Sequence, residues 1–185
     1  MRKGWDDNCI TAVELAQKVE KVGVSFIAVH GRTRRQMYTP GIDLDIIKQV
    51  KEAVNIPVIG NGDIFTGQNA LDMIKQTGCD GVMVARGAEG NPFIFREIKA
   101  TLANIHHDAP SYAMRIAAAI DHAERLTRSR GDRAIVEMRK HVSWYLSGMH
   151  GSAALRGRVN GISSLEELKE LLNEYLDAVK EKELH

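Results

Sequence analysis

The chain reads as an α/β unit with a parallel sheet followed by an all-α helical domain, and three observations carry that prediction. Three short apolar runs, "VSFIAV" (24–29), "IPVIG" (56–60) and "DGVMVA" (80–85), alternate with helical patterns through the first hundred residues or so. Each run is apolar throughout, which predicts a parallel sheet covered on both faces. After "HHDAP" (106–110) the strand patterns stop and helical periodicity takes over, so residues 1–105 and 106–185 are predicted as separate domains.

In chain order, "AVELAQKVEKVG" places Val13, Ala16, Val19 and Val22 at helical spacing and ends on Gly23, a residue suited to stopping a helix. "DLDIIKQVKEAV" repeats the pattern with Asp43 placed to cap it, and "IPVIG" follows, with Pro57 tolerable near a strand start. Thr66 caps the next helix, which runs through Gln76 and is ended by Gly78 before "DGVMVA". Asn91 and Pro92 suit the N-cap and first position of a helix over "PFIFREIKATLANI". In the helical domain, Ser111 caps a helix to about Arg128, a second spans about Asp132 to Leu146, and Ser163 with Glu166 forms a capping box for the last.

Composition narrows the function. The 185 residues are 44% hydrophobic and 26% charged, with a formal net charge of +1. No apolar run is long enough to span a bilayer and "MRKGWDDNCI" lacks the apolar core of a signal peptide, so the chain is expected to be cytoplasmic, without a membrane partner. Cys9 and Cys79 show neither a paired framework nor metal-ligand spacing and read as structural thiols. Near-neutrality hides segregation. From Arg115 to Arg158 nine basic residues (Arg115, Arg125, Arg128, Arg130, Arg133, Arg139, Lys140, Arg156, Arg158) face four acidic ones (Asp121, Glu124, Asp132, Glu137), whereas the last helix is acidic. Arginine suits bidentate, sequence-independent contact with phosphates, although such clusters are also common as plain solvated helix surface.

Two turns carry the candidate chemistry. "GNGD" (60–63) and "ARGAEGNP" (85–92) follow successive strands; small residues there let backbone N–H groups approach an anion, and Arg86 adds a charge. In a barrel of parallel strands such turns frequently hold a phosphate, while glycine-rich βα turns alone are weak signals. His30, in "AVHGRTRRQMY", is expected to leave the end of its strand on the same rim.

The motifs "IAVHGRTRRQMY", "IPVIGNGDI", "TGCDGVMVARGAEGNPFIF" and "MRKHVSWYLSGMHGSAALR" together resemble the bacterial tRNA-dihydrouridine synthases. The resemblance implies the C-terminal half of a TIM barrel followed by a helical tRNA-binding domain, with FMN as cofactor, NADPH as reductant and a tRNA uridine as substrate. It further implies that Asn61, Gly62, Asp63, Ala85 and Arg86 surround the FMN phosphate and ribityl chain and that His30 faces the isoalloxazine ring. On the RNA side, Arg34 and Arg35 join Arg139, Lys140 and Arg156 as candidate contacts. The family's catalytic cysteine and flavin-contacting lysine have no counterpart: neither Cys9 nor Cys79 lies in a matching motif, Lys3 does not match, and no catalytic residue is assigned. The expected outcome is a chain inactive alone and homo-oligomeric through the exposed half-barrel edges. Two other readings stay open: an RNA-binding module without catalysis, and another FMN-dependent barrel oxidoreductase.

Overall fold

The computed structural model describes residues 1–183, with side chains described to Val179. Its described residues form two compact units, one of residues 1–88 and 94–107, the other of residues 89–93 and 108 onward.

The first unit is built on a five-stranded sheet in the order β2-β1-β3-β4-β5. Strands β1 (Arg2–Asp6), β3 (Ile27–Thr33), β4 (Val58–Asn61) and β5 (Gly81–Met83) are parallel; β2 (Cys9–Ile10) folds back antiparallel on β1. The first two strands were not foreseen. "RKGWD" alternates charge with a lone tryptophan, so it carries no apolar run, yet its backbone pairs with β3 (Arg2 beside His30) and the Met1 ammonium donates to the Ala28 carbonyl at 2.5 Å. The expected strand at 24–29 lies three residues later. Phe26 stays exposed and β3 extends through Thr33, which puts His30 inside the strand and not beyond its end.

Helices α1 (Ala12–Lys21), α2 (Leu44–Ala53), α3 (Gly67–Thr77) and α4 (Ile94–Leu102) pack on one face of this sheet. Ile27, Val29 and Val58 meet Ala16, Ile47, Val50, Ala70, Met73 and Ile94 there, in a single buried core. The alternate residues Ala28, His30, Ile59 and Asn61 are only partly buried, and Met83 is 44% exposed. This corrects the expectation of a sheet covered twice: apolar strand composition reports one packed face here, and the four parallel strands present level rows of residues on the other, with Ala28, Ile59 and Gly81 in one row and Arg2, His30, Asn61 and Met83 in the next.

Local signals place most helix ends. Asp43 accepts from the Ile46 N–H at 3.1 Å, Thr66 Oγ1 accepts from the Asn69 N–H at 3.1 Å, and Gly78 closes α3 at φ 69°, a conformation that suits glycine. Val22, expected on the inner stripe of α1, is 80% exposed because the helix ends at Lys21 and the chain turns away. Asn91 and Pro92 do not start α4: residues 89–93 are a turn grouped with the second unit, and α4 begins at Ile94.

The second unit packs α5 (Tyr112–Arg130), α6 (Ile135–Tyr145), α7 (Ser152–Val159) and α8 (Leu165–Glu183) around Ile116, Met138, Val142, Leu146, Leu168 and Leu172. Ser111 caps α5 through the Met114 N–H. A 3-10 turn at Asp132–Ala134 precedes α6, where one continuous helix was expected, and α7 was not anticipated because its Ala- and Arg-rich sequence has no apolar stripe. The capping box before α8 falls one residue later than expected: Ser164 Oγ accepts from the Glu167 N–H at 3.1 Å, while the Glu167 carboxylate takes the Ser163 N–H at 2.7 Å.

Candidate anion site at the strand ends

Strands β4 and β5 run parallel and in register, Asn61 beside Met83, so the turns that follow them open at the same end of the sheet. Asn61 ties the two ends directly, its Nδ2 donating to the Met83 carbonyl at 2.8 Å. Beyond the strands the turns touch. A Cβ on Gly87 would lie 2.0 Å from the Ile64 carbonyl oxygen, so the backbone of the second turn rests on the backbone of the first. Gly62 adopts φ +132° and packs against Ile42 and the His30 imidazole, where a Cβ would be 2.8 Å and 3.2 Å from the nearest atoms. Asp63 follows at φ 47°, a left-handed conformation that Asp tolerates better than most residues. Ala85 has no positive φ, so alanine serves there without strain.

The charges converge on Asp63. Its Oδ1 accepts from Arg86 Nη2 at 3.0 Å and its Oδ2 pairs with Arg32 Nη2. Arg32 was not among the expected site residues, yet it is only 2% exposed; its Nε donates to the Thr39 carbonyl at 2.7 Å and its Nη1 lies 3.5 Å from His30 Nε2. One carboxylate therefore balances two guanidiniums, and the cluster keeps a net positive charge. Burial works to raise the Asp63 pKa, but the Arg32 hydrogen bond and the charges of Arg32 and Arg86 outweigh it and hold the carboxyl below its ordinary value. His30 moves down as well: burial comes first, then the charges of Arg2 and Arg32, with Asp63 opposing. Neutral His30 is thus the form the site favours. Arg86, its side chain 39% exposed, also lies over two rings, 4.9 Å from the Tyr38 centroid and 5.5 Å from that of Phe65.

The model of the dihydrouridine synthase family matches residues 1–181. The chain belongs to the dihydrouridine synthase family. Among curated relatives, a probable tRNA-dihydrouridine synthase of Rickettsia conorii is 42% identical over 183 residues, covering 98% of this chain and 55% of its own length. A probable tRNA-dihydrouridine synthase 1 of Synechocystis is 39% identical over 180 residues, with 97% and 51% covered. The tRNA-dihydrouridine synthase B of Pseudomonas putida is 37% identical over 168 residues, with 90% and 50% covered. The chain spans about half the length of the curated relatives it matches. Among solved structures, a nitroalkane oxidase from Streptomyces ansochromogenes aligns over 93% of this chain and 57% of its own at 18% identity, with a TM-score of only 0.35.

The candidate RNA-contacting residues fall into different environments. Arg34 and Arg35 are exposed in the loop after β3, Arg34 beside the Met37 sulfur at 2.9 Å and Arg35 3.5 Å from Asp6. Arg139 is committed internally: Nε and Nη2 both donate to the Ile162 carbonyl, at 3.0 and 2.6 Å, pinning α6 to the segment before α8. Arg115 likewise donates to the carbonyls of Tyr145 and Ser147, while Arg125, Arg130 and Arg158 pair with Asp121, Glu137 and Glu174. Lys140 sits 4.8 Å over the Trp144 ring, whose indole meets His141 edge-on. The basic middle of the sequence is therefore partly structural; of the RNA candidates there, Arg139 is held by a carbonyl, whereas Lys140 and Arg156 pair with no carboxylate among the described residues. No helix among the described residues is long and apolar enough to cross a membrane.

Proposed function

We propose that this chain is the FMN-phosphate-binding and tRNA-contacting portion of a tRNA-dihydrouridine synthase. The observation that carries this reading is the meeting of the two turns, 61–64 and 85–88, at the ends of adjacent parallel strands, with a net positive cluster behind them. The fit with an anion is good: Gly62 and Gly87 lack the Cβ atoms that would crowd the turns, and Arg86 keeps its guanidinium partly in solvent. Asn61, Gly62, Ala85 and Arg86 would hold the phosphate and ribityl chain, and His30, level with Asn61 on the helix-free face, would meet the ring. FMN, reduced by NADPH, supplies hydride transfer to the uridine C5–C6 bond.

The chain's own residues bind and orient. Asp63 acts by holding Arg32 and Arg86, because a carboxylate aimed at a phosphate would repel it. His30, kept neutral, offers a hydrogen-bonding edge to the bound ring without adding charge. Lys140 and Arg156 in the helical unit, and separately Arg34 and Arg35 after β3, would each contact tRNA phosphates, with a steep salt dependence because such contacts release counterions. Proton delivery to uracil has no matching cysteine here, so the chain alone is inactive. We take the four parallel strands as half of an eight-stranded barrel, whose open sheet edges would make a homo-oligomer the expected form. The compartment we assign is the cytoplasm.

Quenching of FMN fluorescence by the purified chain, competed by inorganic phosphate, tests the reading. Binding that phosphate reverses, with no tRNA-dependent NADPH oxidation, is the expected result. Absence of any FMN or phosphate binding removes the anion site from the proposal, and turnover with tRNA shows that the proton donor lies within these residues. Sedimentation equilibrium decides the assembly; a monomer with no self-association refutes it.

A further inference from the structure

Arg32 enters the reading above only as a partner of Asp63, yet it is a heavily constrained charge in the first unit. A guanidinium with 2% exposure is costly unless every donor is used, and here the donors reach three separate parts of the site. Nε holds the Thr39 carbonyl and with it the loop after β3; Nη1 faces His30 Nε2; Nη2 holds the Asp63 carboxylate. Arg32 projects from the same face of β3 as His30, two residues earlier, because successive strand residues alternate. Through Asp63 it reaches the only left-handed non-glycine residue in the two turns, and through the same carboxylate it is linked to Arg86.

We propose that Arg32 is a positioning residue for the anion site: it acts through Asp63 to hold the 61–64 turn and through the share of that carboxylate to set the position of Arg86. This rests on the anion-site reading above. The logic is that of a shared counter-ion. With Arg32 in place, Asp63 divides its two oxygens between two guanidiniums, and Arg86 retains unshared donors for a ligand. Without Arg32, both carboxylate oxygens turn to Arg86, the local net charge falls to zero, and nothing fixes the turn in its left-handed form. A lysine cannot substitute, since one ammonium does not span three acceptors set by a planar fork.

The prediction separates positioning from mere stability by a charge-balanced double variant. Arg32→Met and Asp63→Asn are each expected to lower the thermal midpoint and to weaken FMN binding at least tenfold. Asp63→Asn costs more stability, because it leaves a buried guanidinium without its carboxylate. The double variant Arg32→Met/Asp63→Asn leaves no buried charge, so most of the thermal midpoint should return, while FMN affinity stays at least tenfold below wild type because the turn is no longer held. Recovery of affinity together with stability overturns the proposal, leaving the pair as structural only.

A second readout does not depend on the ligand. Four charged groups act on His30: Arg2, Arg32, Asp63 and Arg86. In Arg32→Met the loss of one positive neighbour should raise the imidazole titration followed by NMR, and the amide resonances of Gly62, Asp63 and Ile64 should shift. If the wild-type chain binds neither FMN nor phosphate, the functional reading falls but these spectra still decide the role of Arg32. Unchanged His30 titration and unchanged turn resonances overturn it.

Discussion

Substituting Gly87 by alanine probes the contact on which the anion site depends. The added Cβ would lie 2.0 Å from the Ile64 carbonyl oxygen and 3.1 Å from its carbonyl carbon, both backbone atoms, and 3.1 Å from the Ile94 side chain. A Cβ needs roughly 3.0 Å or more from such an oxygen, so the two turns must part by about 1 Å. Gly87 does not have a positive φ, and backbone preference therefore does not oppose alanine. Taken alone, the narrower unfolded ensemble would favour alanine by about 0.4–1 kcal/mol. Overpacking of a rigid site costs about 1–3 kcal/mol, and here neither partner is a side chain that can rotate away, so the upper end applies and a net loss of about 2 kcal/mol is expected. For a unit of this size that corresponds to a thermal midpoint roughly 8–16 °C lower. The same displacement moves the backbone of residues 85–88 away from residues 61–64, so FMN or phosphate affinity should fall at least tenfold, as a misplacement of about 1 Å suffices for effects of that order. Thermal unfolding followed by circular dichroism and FMN fluorescence titration measure both quantities. An alanine variant with wild-type midpoint and affinity would show that the turns do not rest on one another.

Asp43→Ala removes the cap of α2, worth about 1 kcal/mol, and also takes from the buried Lys3 its 3.3 Å carboxylate partner; urea unfolding should show a loss larger than that of Ser111→Ala, which removes a cap alone. Acid titration has a defined sign: the Asp63 and Asp80 pKa values are depressed in the folded chain, so their stabilisation is full above the unfolded aspartate value near 3.9 and is lost as pH falls through the lower folded values. His30 and His122 are depressed histidines, so stability should begin to decline already as pH drops below about 6.5, and the pH–stability curve measured by urea midpoint should show both stages. For RNA, Lys140→Glu with Arg156→Glu should weaken tRNA binding in a filter assay while the helical unit stays folded, whereas Arg139→Glu should lower its thermal midpoint because the Ile162 carbonyl loses both donors.

Where a local interaction decides an element, it was legible in the sequence. Asp43, Thr66, Gly78 and Ser111 each act within four residues of chain, so side-chain chemistry at one position suffices to mark a helix end. β1 and β2 were not legible because nothing apolar announces them: "RKGWD" is held by backbone pairing to β3 and by Lys3 meeting Asp43, forty residues away. The short α7 escaped for a similar reason, since only Leu155 and Val159 are its large buried residues and no stripe forms. Apolar runs told of strands but not of how many faces are packed. Val29 and Ile59 read alike in one dimension, yet one is buried under α-helices and the other lies on the open side.

The candidate site divides along the same line. Glycines and Arg86 in the two turns could be singled out because turn chemistry is local, and His30 because it stands near the end of an apolar strand. Arg32 could not, although it lies only two residues from His30. In sequence it is one of three arginines in "GRTRR", and helix or loop surfaces hold many such residues. The distinguishing signal is its place inside a strand: a charge there must either face water or find a counter-ion, and the counter-ion here is supplied by a turn thirty-one residues on. The same reasoning bears on the role proposed for Asp63. An aspartate in a glycine-rich turn looks like a ligand contact, but with a buried arginine behind it and an exposed one beside it, its charge is already spoken for, and what faces the solvent is the cation it leaves unbalanced.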